Sequence, residues 1–217
     1  LVMFGDYVAS GIKIRDFNRN IKLFLLTSFL FNIGFAAFQT DFNLYILSMG
    51  MSPNFLGIVL GLAPFAAGIA SIPIGYLIEK IGFKKSFKLI YILLGVSYLL
   101  QVISSNQLLI MFGSFLVGLV ACGNFIIQLP FVSHYSFENQ NQIFSTISII
   151  NIASFAIGSL LGGYLPNLVN TIVLDLTLSY RILLIIFCLV VLLASIPVHF
   201  LDDDEVQDNH KISLSPY

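Results

Sequence analysis

Charge is what this chain lacks most. Only 10% of its 217 residues are charged, 58% are hydrophobic, and mean hydropathy is +0.95. A soluble domain carries roughly 25% charged residues, so there is too little polar surface here to coat a water-soluble globule. The near-zero net charge of −1 offers nothing to a nucleic acid. Cysteine is scarce too. Cys122 and Cys188 each fall mid-way along an apolar run, where a thiol behaves as a small hydrophobe, and no disulfide or metal spacing exists. The G-x-x-x-x-G-K-[ST] phosphate loop is missing, which excludes ATP hydrolysis by this chain. There is no run of regularly spaced arginines to sense voltage. No nucleophile–base pair or metal constellation suggests an enzyme, and no cofactor is implied. Asp6, Lys13, Arg15, Asp16 and Arg19 interrupt the first twenty residues, which therefore do not form a cleavable signal peptide.

What the chain has instead is long apolar runs. A bilayer-spanning helix needs about 20 mostly apolar residues. Six runs qualify, at 22–46, 54–78, 87–105, 107–132, 143–165 and 180–201. None alternates with period two, which argues against a β-barrel. The breaks are short and built from turn residues, such as Gly50-Met51-Ser52-Pro53 and Ser104-Ser105-Asn106-Gln107. Short connections force neighbouring helices antiparallel. The expected fold is an all-α polytopic membrane protein. It divides into a leader at 1–21, a six-helix domain at 22–201, and an acidic tail at 202–217 that is either a tail or the start of a central loop.

Orientation follows from the cations, which mark the cytoplasmic side. Lys13, Arg15, Arg19 and Lys22 precede the first span. Lys80, Lys84, Lys85 and Lys88 surround the second connection, and Lys211 follows the sixth span. Only Arg181 lies on the other side, so nine of ten cations share one face. Both termini are expected in the cytoplasm, with the chain crossing the cell membrane six times. The connection at 133–142 has no Lys or Arg and lends no support. Tyr45, Tyr76, Tyr135, Tyr164 and Tyr180 sit near span ends, as interfacial anchors or by chance.

Polar groups inside the spans are the candidates for a solute path. Asn32 and Gln39 share a face of the first span at i,i+7. Asn124 and Gln128 share a face of the fourth at i,i+4, and Asn151 lies near Ser154 on the fifth. An amide left unsatisfied in hydrocarbon costs several kcal/mol, so each faces protein or water. Interhelical hydrogen bonding and contact with a solute are both open. Asp41 is the only acid within a span, a place for a proton or a cationic substrate unless it reaches water at the outer end. Arg181 is a salt-bridge partner for it or an interfacial anchor. His134 and His199 have no ligand-spaced companion. Gly57 with Gly61, and Gly158 with Gly162, form flat i,i+4 strips on which another helix can pack. Pro64 and Pro73 are expected to bend the second span.

The connection Gly75-Tyr-Leu-Ile-Glu-Lys-Ile-Gly-Phe-Lys-Lys85 is a charged turn between two apolar runs. Gly75 and Gly82 permit close approach and a tight turn. Glu79 ends a helix, where the dipole disfavours a carboxylate, so it needs a partner. The segment resembles the G-x-L-x-D-R-x-G-R-K-K signature of the major facilitator superfamily. Gly75, Leu77, Gly82, Lys84 and Lys85 match it, Glu79 and Lys80 replace Asp and Arg, and Phe83 stands where an arginine is usual. Phe112-Gly-Ser-Phe-Leu-Val-Gly118 and Ile157-Gly-Ser-Leu-Leu-Gly-Gly-Tyr-Leu-Pro166 are similar to the family's fourth and fifth helices. Asn43-Leu-Tyr-Ile-Leu-Ser-Met-Gly50 is similar to the close of the first. Ser114 stands where an arginine is frequent, and Ser159 where antiporters often have proline.

The resemblance implies half of a twelve-helix transporter, built as two inverted three-helix repeats. It implies that the 75–85 loop, with Glu79 and its lysines, latches the two halves on the cytoplasmic side. It also implies that helices 1, 4 and 5 line the path of a small solute. Ile74-Gly-Tyr-Leu77 and Gly162-Gly-Tyr-Leu165, closing the second and fifth spans, are a faint internal echo of such a repeat. The chain opens on Leu1 and stops after the sixth run, so it is expected to be a fragment or a natural half. Its partners would then be the lipid bilayer, the solute, and a carboxy-terminal half or second six-helix chain. Two other readings stay open: a non-transporting membrane scaffold, and the six-helix permease subunit of an ATP-driven importer.

Overall fold

In the computed structural model, residues 17–135 and 140–202 are described. Lys13, Arg15, Lys211 and most of the expected leader and acidic tail lie outside the described residues. Seven helices follow one another: α1 Arg19–Ser48, α2 Pro53–Ile81, α3 Phe83–Ile103, α4 Gln107–Tyr135, α5 Gln140–Val173, α6 Leu176–Leu193 and α7 Ser195–His199. Among the described residues there is no strand. The short α7 continues α6, so Leu176–His199 acts as one span, and six segments among the described residues are long and apolar enough to cross a membrane.

Local chemistry sets the helix ends. Ser52 accepts from the Phe55 N–H at 3.2 Å, with Pro53 as the first helical residue. Asp175 caps α6 through the Leu178 N–H at 3.0 Å. Gly82 alone separates α2 from α3. Its φ of +82° is open to glycine at little cost, and its N–H closes α2 on the Ile78 carbonyl at 3.0 Å. Pro64 and Pro73 lie inside α2, which stays one helix through both.

Contacts at the helix ends show the alternation of direction. Arg19, opening α1, meets Phe200 and Asp202 beyond α7. Phe83, opening α3, lies on Phe131 and His134 near the end of α4. At the opposite end Arg181, opening α6, bonds Tyr45 near the end of α1 and Ser105 between α3 and α4. Successive helices are therefore antiparallel.

The largest interfaces are α2 on α4 and α1 on α5, followed by the equal pair α1 on α6 and α3 on α4. Exchanging α1 with α4, α2 with α5 and α3 with α6 converts the first of each pair into the second. Because α1 and α4 run in opposite directions, this is the relation of two inverted three-helix repeats. Glycine makes the two main crossings close. A Cβ on Gly118 of α4 would fall on the Ala63 backbone of α2, and one on Gly158 of α5 would fall on the Ile33 carbonyl of α1.

At the end that carries Gly82, the bundle is filled by rings. Phe24, Phe87 and Phe131, from α1, α3 and α4, meet with centroids 5.0–5.4 Å apart. Large apolar side chains such as Ile72, Ile172 and Leu174 are more than four-fifths exposed, as on a surface whose solvent is lipid.

Candidate functional site

Of the amides left open between a solute and interhelical bonding, several hydrogen-bond to protein. Asn32 Nδ2 donates to Asn151 Oδ1 at 3.0 Å across the α1–α5 crossing, and also to the Ser28 carbonyl at 2.7 Å. Tyr91 donates to Asn124 Oδ1 at 2.9 Å, tying α3 to α4. Ser154 bonds the Ile150 carbonyl of its own helix. Gln128 is half-buried. Two of the pairs are thus interhelical ties near mid-bundle.

Gln39 is placed differently. It is exposed at the mouth of a cavity of about 210 Å³ between α1, α2, α3 and α4. The cavity lies towards the end opposite Gly82. Phe38, Phe42 and Tyr98 form one wall, while Val59, Ala63 and Val117 are among the apolar residues of the remainder. Its polar lining is Gln39, Asn43, Gln101 and Ser114 with the Tyr98 hydroxyl, and no charged residue takes part. The Asn43 Oδ1 and the Tyr98 hydroxyl are both buried with no hydrogen-bond partner among the described residues. Sequence reasoning missed this group. Asn43 is i,i+4 from Gln39, but the segment from 43 read as the close of a span. Tyr98 and Gln101, at i,i+3 in the third apolar run, carry no signal that sets them apart in the sequence.

Asp41 does not join the cavity. It follows Gly34 by seven residues on α1, and Gly34 is packed on Val191 of α6, so Asp41 lies on the α6-facing side. It is fully buried, and neither carboxylate oxygen has a hydrogen-bond partner among the described residues. Its carboxylate is therefore enclosed by protein rather than open to solvent. Arg181 does not reach it: the Nε donates to the Tyr45 hydroxyl at 2.9 Å and an NH2 to Ser105 Oγ at 3.0 Å. The Tyr45 hydroxyl in turn donates to the Val102 carbonyl at 3.3 Å. Arg181 thus anchors the ends of α1, α3 and α6 together.

At the opposite end, Gly75, Leu77, Glu79, Lys80 and Gly82 close α2, and Lys84 and Lys85 open α3. Gly82 is the turn itself. Gly75 sits in the helix body, where a Cβ would meet Ile126 at an ordinary 3.9 Å. Glu79 is exposed in the last turn of α2 and forms no ion pair among the described residues. Lys80 in the same turn suits the helix dipole. Phe83, in place of the usual arginine, puts its ring edge-on to Phe131 at 5.7 Å. It extends the aromatic packing out to the turn.

The flat strips of α2 and α5 have different fates. Gly158 and Gly162 are buried against α1, but Gly57 and Gly61 have nothing within 4 Å. They belong to a longer series on α2: Gly57, Gly61, Pro64, Gly68, Ser71 and Gly75, spaced 4, 3, 4, 3 and 4. This seam runs about 27 Å along the helix. Most of it is exposed, flanked by exposed Phe65, Ile72 and Tyr76. The corresponding Gly163 and Tyr164 of α5 are bare as well. The Gly-Tyr echo therefore falls on the outer surface of two helices that the repeat relation exchanges.

The family model described as Major Facilitator Superfamily matches residues 23–215, nearly the whole chain. The chain belongs to the Major Facilitator Superfamily. No curated protein matches it. Membership makes this a multi-pass membrane protein of a family whose members are transporters, not enzymes, and transport across a membrane is its function in general terms. The six-helix Major Facilitator Superfamily bundle presents a cavity at one end, rings at the other, and an uncovered face along α2.

Proposed function

We propose that this chain is one half of a secondary or facilitative transporter that moves a small solute across the cell membrane by alternating access. In that reading a second six-helix unit packs along α2 and α5, and both termini and the Gly75–Lys85 loop face the cytoplasm. The observation that carries it is the seam from Gly57 to Gly75. Small side chains at heptad spacing let helices approach closely in lipid, where packing rather than hydrophobicity drives association, yet no described residue comes within 4 Å of a Cβ at Gly57, Gly61 or Gly68.

Glu79 supports the same arrangement. An exposed carboxylate with no ion-pair partner among the described residues, at a helix C-terminus, suits the N-terminus or cation of another unit. Such a bond holds the cytoplasmic side shut, and Lys80, Lys84 and Lys85 orient it. Asp41 is the coupling candidate in this scheme, since an intramembrane carboxyl with no protein partner suits a carried proton or cation.

The test is cysteine accessibility in native membranes, where any second unit is present. An impermeant maleimide is applied from outside to Gln39→Cys and from inside to Tyr76→Cys. Glu79→Ala should lower outside labelling of the first and raise inside labelling of the second. Labelling of both sites that is unchanged by Glu79→Ala contradicts the proposal.

A further inference from the structure

We propose that the cavity between α1, α2, α3 and α4 binds a small uncharged solute with a flat apolar body and one hydrogen-bond donor. This rests on the transport reading and names the substrate class for it. Size comes first. An apolar cavity of about 150 Å³ takes benzene, so about 210 Å³ suits a molecule somewhat larger than one ring. Shape is set by rings. Phe38 and Phe42 stack at 5.3 Å, and Tyr98 leans on Phe38 at 4.3 Å, making a continuous aromatic wall.

Polarity is set by two orphans. Tyr98 is 3% exposed and its hydroxyl has no partner, and the Asn43 Oδ1 is buried without a donor. A buried polar atom left unpaired costs about 1–3 kcal/mol. A donor on a solute removes that penalty at Asn43, and an acceptor or donor does so at Tyr98. Charge is excluded by the lining. No Lys, Arg, Asp or Glu contributes, and Asp41 lies on a different side of α1. An ion would lose its hydration with nothing to replace it. The mouth, at Gln39 and the exposed Leu60 and Pro64, opens beside the uncovered seam of α2, so a solute enters from the side where a second unit packs.

The probe is indole, a neutral two-ring molecule with one N–H. The chain contains no tryptophan, so indole emission reports indole alone. Chain 1–217 in lipid nanodiscs is titrated with indole, 1-methylindole and indole-3-carboxylate, and partitioning into empty nanodiscs is subtracted. Indole should show a saturable component, about tenfold tighter than 1-methylindole, the weight of one hydrogen bond to a buried acceptor. The carboxylate should show none.

Asn43→Leu should erase the preference for indole over 1-methylindole. Val117→Phe, which fills the cavity, should abolish the saturable component while circular dichroism stays helical. Absence of saturable indole binding to the wild type means that water alone fills the cavity and overturns the inference. So does an indole preference unchanged in Asn43→Leu, or equal binding of the carboxylate. Alternating accessibility is measured without any ligand, so its persistence with no indole site sinks only this inference. Saturable indole binding with fixed accessibility sinks the transport reading.

Discussion

Asn32 and Asn151 join side chain to side chain at 3.0 Å where α1 crosses α5. The bond sits on the crossing that Gly158 makes close, and its two amides tie one three-helix repeat to the other. Interhelical hydrogen bonds in membranes average about 0.6 kcal/mol and reach about 1.7. A double-mutant cycle with Asn32→Leu and Asn151→Leu, read by reversible unfolding in mixed micelles, should give a coupling in that range. A coupling indistinguishable from zero would show that the two amides act independently.

Gly118→Ala should destabilise the bundle by about 1–3 kcal/mol, because the new methyl lands on the Ala63 backbone and α4 must move off α2. Gly57→Ala should do the reverse by up to about 1 kcal/mol, since alanine is the better helix former and the space beside it is open. Gly61→Leu should not destabilise this chain, for the same reason, yet should prevent assembly with a second unit, as seen by co-purification. Equal destabilisation by Gly118→Ala and Gly57→Ala would mean that the seam is covered within this chain.

The six spans were legible because hydropathy and turn residues are properties of the chain read in order. Which span faces which was not. The α1–α5 and α2–α4 crossings depend on single glycines, Gly158 and Gly118, fitting onto a particular backbone stretch, and a glycine motif looks the same whether or not a neighbour covers it. Gly57 and Gly61 have the same spacing as Gly158 and Gly162 and the opposite environment. The amides show the same limit. Asn32 and Asn151 were each visible, but their bond spans 119 residues. Tyr98 and Gln101 carry no motif or spacing that marks a shared site in the sequence. In the folded bundle they line an internal space.

Tyr45 is fully buried, and its hydroxyl both accepts from Arg181 and donates to the Val102 carbonyl. Tyr45→Phe leaves the guanidinium without that acceptor and the carbonyl without that donor. The expected loss is about 1–3 kcal/mol, typical of a hydrogen bond to a charged group. Arg181→Lys should recover little, because an ammonium lacks the fork that reaches Tyr45 and Ser105 at once. Full stability in Tyr45→Phe would remove this anchor from the account.

Asp41→Asn replaces a partnerless carboxyl by a group of the same shape that never has to hide a charge. The thermal midpoint should be unchanged or higher. If Asp41 carries the coupling ion, the variant should lose accumulation driven by an ion gradient and keep downhill exchange. Gradient-driven accumulation at the wild-type level in Asp41→Asn would move the coupling role elsewhere.

Gating by the Gly75–Lys85 loop depends on which leaflet holds the turn at Gly82. Lys85→Cys and Gln39→Cys, near opposite ends of the bundle, are labelled with an impermeant maleimide in right-side-out and inside-out vesicles. Lys85→Cys should label only in inside-out vesicles, and Gln39→Cys in right-side-out ones. Labelling of Lys85→Cys in right-side-out vesicles would place the lysines outside and contradict both the orientation and the cytoplasmic latch.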